Sequence, residues 1–155
     1  MSNRLTFDLS TAHRHFSVDC FNAAWNLIDR PLRTPADEEQ MLLRTFASFY
    51  HWTQRPDFSA ENRAIALWQI SRVYALLGQA DNARRYAEKC LTESDSPALP
   101  AYCLAYAYEA LARAEMVAGK PEKMRAWLAR ALSLAEKLAE VETRQNLVAD
   151  LQTLH

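Results

Sequence analysis

Apolar residues recur every three to four positions along almost the whole chain, interrupted by short polar or proline-bearing stretches. That period predicts helices throughout. Helix 1 covers about residues 10–29 and stops before "RPLRTP". Helix 2 opens with Thr34 as N-cap, Pro35 in its first turn and Asp37, Glu38 and Glu39 at its positive end, and it closes at Arg55-Pro56. Helix 3 follows Ser59 and runs to Leu77, just before Gly78, which suits a left-handed C-cap. Helix 4 spans about 80–93. Helix 5 opens between Ser96 and Pro100 and reaches Ala118 before Gly119. Helix 6 runs from Pro121 to about Glu140, and residues 143–154 form either a seventh helix or an extension of the sixth, since "AEVETRQ" holds no strong breaker.

Loops this short make successive helices antiparallel. The pattern therefore predicts an all-α domain over 1–155: three helical hairpins at about 10–55, 59–94 and 97–140, and a C-terminal cap at 141–155. "QISRVYALLGQADNARRYAEKCL" and "EALARAEMVAGKPEKMRAWLARAL" then match in register. Seven residues before each glycine stand the small Ser71 and Ala112; eight before stand Ile70 and Leu111; twelve after stand Cys90 and Ala131, followed by Leu91 and Leu132. The segment 66–134 resembles the tetratricopeptide (TPR) repeat, a helix-turn-helix unit with small residues where its helices touch. It departs from the family at the 41-residue glycine spacing, at Glu115 opposite Tyr74, and at Met124 in place of the small Ala83. The resemblance implies a right-handed stack whose first helices line a concave face used for protein partners, and it implies no reaction.

Projection at 100° per residue gives helices 1, 3 and 5 a packing stripe each: Leu9, Phe16, Cys20, Ala23, Ala24 and Leu27; Ala66, Leu67, Ile70, Val73, Tyr74 and Leu77; Leu104, Ala107, Tyr108 and Leu111. Each also carries a second apolar face: Val18, Phe21 and Trp25; Ile65, Trp68 and Leu76 beside Arg72; Tyr102, Tyr106 and Met116 beside Glu109 and Arg113. In a TPR-like stack these second faces adjoin. Left bare they would expose on the order of 1,000 Å², more than a monomer usually tolerates in one patch. A partner, a second copy of the chain or its own segment 141–155 is expected to cover them. The predicted groove residues are Phe21, Trp25, Trp68, Arg72, Tyr102, Tyr106, Glu109 and Arg113. An arginine there can grip a carboxylate, and Glu109 is equally placed to pair with Arg113 at i,i+4.

Composition narrows the function classes. Only 2 of 155 residues are glycine, which favours long helices over a turn-rich sheet protein. The 18 basic and 19 acidic residues are interspersed, with no stripe to neutralise a run of phosphates, so nucleic acid is not an expected partner. The start "MSNRLTFDLS" has no apolar signal core, and "ALPAYCLAYAY" is too short for a membrane span. A cytoplasmic protein with no membrane partner is expected. Cys20, Cys90 and Cys103 are odd in number and lack CxxC spacing, which argues for core residues over disulfides or zinc.

No phosphate-binding glycine loop, HExxH or GxSxG motif occurs, so no cofactor, metal or catalytic residue is assigned. In "FASFYHWTQRPDF" the helix 2 projection centres Leu42, Phe46 and Phe49 on an apolar arc, and turns His51 away with Arg44 and Arg55. His13 lies on the stripe of helix 1. Antiparallel pairing of helices 1 and 2 still makes a His13–His51 pair conceivable. The leading expectation is a non-enzymatic interaction module with an aromatic groove for a peptide or protein. The alternatives are a small enzyme or metal-binding protein using His13 and His51, and a homodimer through the same groove.

Overall fold

Residues 7–155 are described by the structure, a computed structural model. Among them there are seven α-helices and no strands: α1 (Leu9–Ile28), α2 (Pro35–Thr53), α3 (Ala60–Leu76), α4 (Ala80–Ser94), α5 (Ala101–Val117), α6 (Pro121–Ala135) and α7 (Val141–Leu151). They pack as the hairpins α1/α2, α3/α4 and α5/α6, with α7 against α5 and α6. The chain divides into two compact units, one ending at Ser59 and the other spanning Ala60–His155.

Local chemistry sets the ends. The Asp8 carboxylate accepts from the Thr11 amide at 2.8 Å, one residue earlier than the sequence suggested. Thr34 caps α2 ahead of Pro35, as the sequence implied, and Asp37 closes a reciprocal capping box with it. Gly78 (φ +72°) and Gly119 (φ +68°) end α3 and α5 in the left-handed conformation. The Gln79 amide reaches back to the Tyr74 carbonyl and the Gly78 amide to that of Ala75; Lys120 and Gly119 do the same to Glu115 and Met116. These are two Schellman caps, repeated at equivalent positions. A Cβ at Gly78 would meet nothing within 4 Å, so substitution acts on backbone conformation alone. Gly78→Ala is expected to destabilise the second unit by about 1–2 kcal/mol in urea unfolding. An unchanged midpoint would mean that the left-handed cap does not persist in solution.

The first unit is the α1/α2 hairpin. Its buried seam is Ser17, Cys20, Ala24 and Ile28 on α1 against Met41, Thr45 and Ser48 on α2. The Ser48 hydroxyl donates to the Ser17 carbonyl at 2.8 Å, and Arg55 Nη1 donates to Ser17 Oγ at 3.0 Å. The seam is rotated by about one residue from the projected stripes. Leu9 is 50% and Phe16 44% exposed, while Leu42, Phe46 and Phe49 are half-buried. Projection weights large apolar side chains, whereas close helix contact selects small ones, even hydroxyl-bearing ones that can bond back to carbonyls.

In the second unit Ser71 sits where the TPR resemblance puts a small residue, and its hydroxyl donates to the Ala83 carbonyl across α3/α4 at 2.8 Å. Glu115, opposite Tyr74 in the other copy, is buried and takes two hydrogen bonds from Arg84 at 2.7 and 3.2 Å, which hold it below the usual glutamate range. Met124 packs with Ala105, Ala112 and Ala131, and onto this cluster α7 lays Leu147 and Leu151, followed by Leu154. Helix 6 is shorter than expected. It stops at Ala135, Leu138 turns into the core, and Glu140 caps α7 by accepting from the Glu142 and Thr143 amides. Glutamate is a weak cap signal, which is why the break was not legible.

Candidate functional site

The expected groove residues fall on both units. On α1, Phe21 and Trp25 are half-buried and meet edge to face at 6.3 Å. The other six lie on α3 and α5, which pack together in the second unit.

Glu109 is fully buried and holds those helices in one network. Its Oε2 accepts from Trp68 Nε1 at 2.8 Å, and its Oε1 accepts from Arg72 Nη1 at 2.9 Å and from Arg113 Nε at 2.7 Å. Helix α7 completes it. Arg72 Nη2 donates to Asp150 Oδ1 at 3.0 Å, while Arg113 Nη2 donates to the Asp150 carbonyl at 3.2 Å and to Thr153 Oγ1 at 2.8 Å. Burial raises the Asp150 carboxyl above its ordinary value against the opposing pull of Arg72. The chain's own segment 141–155, one of the three covers considered for this wall, thus meets Arg72 and Arg113. Both arginines spend their strongest donors on Glu109 and Asp150, so the structure uses these charges internally.

The aromatic part lies differently. Trp68 and Tyr106 meet at 4.7 Å between ring centroids with planes 61° apart. With Tyr102, Ile65, Ala64 and the thiols of Cys90 and Cys103 they line an open cavity of about 200 Å³. The Tyr102 hydroxyl donates to the Glu61 carboxylate, and burial followed by that bond raises its pKa. Tyr106 is likewise raised by burial, then by Asp150 and Glu109. The thiols are poor nucleophiles: burial pushes Cys90 up to about 12 and Cys103 up to about 11. Ile65 was legible in the sequence as part of the second face. Ala64, Cys90 and Cys103 were missed: Ala64 and Cys103 are small residues of α3 and α5 that projection gave to neither apolar face, and Cys90 comes from α4, for which no second face was drawn.

A second cleft in the same unit, about 530 Å³, lies between α4, α5 and α6 and is lined by Leu91, Leu111 and Trp127 with Arg84, Lys123 and Arg130 among its charged groups. The Arg130 guanidinium sits 4.8 Å from the Trp127 ring centroid, and Trp127 stacks on Tyr108. Its charges are mixed, with Glu88 and Glu115 between the cations.

The structure brings His13 and His51 together, as the antiparallel pairing of helices 1 and 2 made conceivable, and corrects the projection of His51. His51 does not turn away from helix 1; its Nδ1 lies 2.8 Å from Nδ1 of His13, with Phe16 and Tyr50 rings beside it. The cause is the rotated seam, which swings His51 toward α1. Two nitrogens on one tetrahedral metal at about 2.0–2.1 Å would stand roughly 3.3 Å apart. The observed spacing is that of a hydrogen bond, and among the described residues no group of three or more His, Cys, Asp or Glu is placed to hold a metal ion. One Nδ1 must donate and the other accept, so the pair excludes double protonation.

A pH dependence follows. His51 is lowered from the ordinary 6.5, first by burial and then by His13. Below 6.5 the unfolded chain takes up a proton that the native hairpin refuses until lower pH. The contribution to stability is therefore present above that value and lost as the pH falls through the depressed native one. Urea midpoints taken at about pH 7.5 and about pH 5 are expected to fall with acidification, and less so in His51→Gln. Equal falls in both proteins would remove His51 from the explanation.

No protein-family model, curated protein or solved structure matches the chain. The likeness to TPR hairpins rests on the residues and caps described above. Among the described residues no helix is long and apolar enough to cross a membrane.

Proposed function

We propose that the chain is a non-enzymatic, cytoplasmic interaction module of TPR-like build, which holds one anchor side chain of a peptide or protein partner in the cavity of Trp68, Tyr102 and Tyr106. The observation carrying this reading is that cavity: it is open, aromatic and about 200 Å³. Sites for drug-sized ligands run to roughly 300–1,000 Å³, so the space suits a single side chain better than a whole cofactor. Aromatic pockets of this kind are where interface energy concentrates. The neighbouring charges support the reading in a changed role, since Arg72, Glu109 and Arg113 hold α3, α5 and α7 in place around the aromatic wall and need not touch the partner.

A peptide library selected on the full chain tests this, with Ile65→Glu as the blocked control. Ile65 is half-buried, so a carboxylate there obstructs the cavity without breaking the Glu109 network. Peptides sharing one anchor residue and losing binding in Ile65→Glu are expected. Selected peptides that bind both proteins equally would remove the cavity as the site. Self-association through the same surface would appear as an Ile65-dependent dimer in light scattering.

A further inference from the structure

The geometry points to a cationic, alkylated anchor: the Trp68–Tyr102–Tyr106 cavity is built to take a trialkylammonium head group, such as the end of a trimethylated lysine side chain. This rests on the reading of the cavity as an anchor site and names the chemistry of the anchor.

Three observations combine. The first is the ring arrangement. Trp68 and Tyr106 meet edge to face, 4.7 Å apart and inclined at 61°, so their contact covers at most one face of one ring, and a cation over a remaining face lies within the roughly 6 Å over which a ring quadrupole attracts it. The third ring, Tyr102, is on the same cavity.

The second is the sign of the charge around it. Two polar hydrogens on these walls point to carboxylates, Tyr102 O–H to Glu61 and Trp68 Nε1–H to Glu109. Donation to an anion shifts electron density into the ring and deepens its attraction for a cation. Arg72 and Arg113 face Glu109 and Asp150, and neither lines the cavity. Glu61, which takes the Tyr102 hydroxyl, is not on the cavity lining and is in no ion pair among the described residues, so its charge acts on a cation in the cavity from the far end of the Tyr102 side chain. Arg63, two residues further along α3, is engaged with Glu93 at 3.2 Å.

The third is the rest of the lining. Ala64, Ile65, Cys90 and Cys103 offer no strong acceptor, and the two thiols stay protonated at neutral pH. A primary ammonium would lose its hydration against a lining that holds no carboxylate and leave its three donors unsatisfied, whereas a trialkylated ammonium has no such donors and presents methyl groups to the apolar lining. The same chemistry is found in free choline and in a methylated side chain, so the test separates them.

The experiment follows the Trp68 indole N–H resonance of the full chain during titration with choline, with 3,3-dimethylbutan-1-ol as its uncharged isostere, and with a short peptide carrying trimethyllysine. The charged probes are expected to bind roughly tenfold or more tightly than the isostere. Glu61→Gln, which keeps the acceptor for Tyr102 and leaves the rings in place, is expected to lower that preference without abolishing it. If choline binds and the peptide does not, the head-group chemistry stands and its source is a small molecule. Equal binding of choline and the isostere overturns the cationic anchor while leaving an apolar anchor site intact. No response to any probe also overturns it, and the peptide library then decides the anchor site separately. Should Glu61→Gln fold poorly, the comparison of choline with its isostere on the unmodified chain is decisive by itself.

Discussion

Glu109→Ala is expected to lower the stability of the chain by about 3–5 kcal/mol, the cost of breaking a buried ion pair from one side. Glu109 is fully buried, and three side chains donate to it. Its loss leaves Arg113, whose side chain is 8% exposed, with the Asp150 carbonyl and Thr153 hydroxyl as acceptors, and it removes the carboxylate that accepts from the Trp68 indole N–H. A buried cation without its anion bears the desolvation cost that the pair had offset. The contrast is Glu93→Ala, which breaks the pair with the 44% exposed Arg63 and should cost less than about 1 kcal/mol. Glu109→Gln should fall between, because the amide oxygen still accepts from Trp68. Urea unfolding of the three variants checks this. Indistinguishable midpoints for Glu109→Ala and Glu93→Ala would show the network to be solvated and the cover by α7 to be loose.

Leu147→Ala should cost about 2–5 kcal/mol, the range for emptying a buried leucine site. Leu147 is 0% exposed in a cluster with Ala131, Ala135, Leu138, Leu151 and Leu154. It lies on an 11-residue helix, too short to be stable alone, so packing onto α5 and α6 must supply its stability. Val141→Ala, at 52% exposed on the same helix, should stay within about 0.5 kcal/mol of the unmodified chain. If both substitutions were silent, α7 would be an appendage and Arg72 and Arg113 would be free to meet a partner. If only Leu147→Ala is costly, α7 is part of the domain and the accessible surface shrinks to the aromatic cavity.

Much of the fold was legible because its signals are local. Thr34, Pro35 and Asp37 announce α2; Gly78 and Gly119 announce the two Schellman caps; and the offsets from those glycines placed Ser71 at a helix contact. What a projection cannot see is how close two helices come. The α1/α2 seam runs through Ser17, Thr45 and Ser48, residues that a hydrophobic stripe scores as polar, and the error of about one residue was enough to misplace His51. The break at 136–140 was hidden because a glutamate serves as cap. For the site, the aromatic residues of α3 and α5 were readable from helical spacing. Their division was not: Asp150 is 78 residues from Arg72, and only the folded chain shows that α7 claims the charges, while Tyr102 and Tyr106 pack against the cluster it completes and still line the cavity.

The central claim is that the cavity of Trp68, Tyr102 and Tyr106 is where a partner is held. The Trp68 indole N–H reports on it directly, since it is fixed by Glu109 and its ring lines the cavity. With ¹⁵N-labelled full chain and a library-selected peptide, that resonance and the amides of residues 64–68 and 102–106 should shift together and saturate at one affinity, and Ile65→Glu should abolish the response. Saturable shifts confined to other surfaces, with the Trp68 indole unmoved, would contradict the claim.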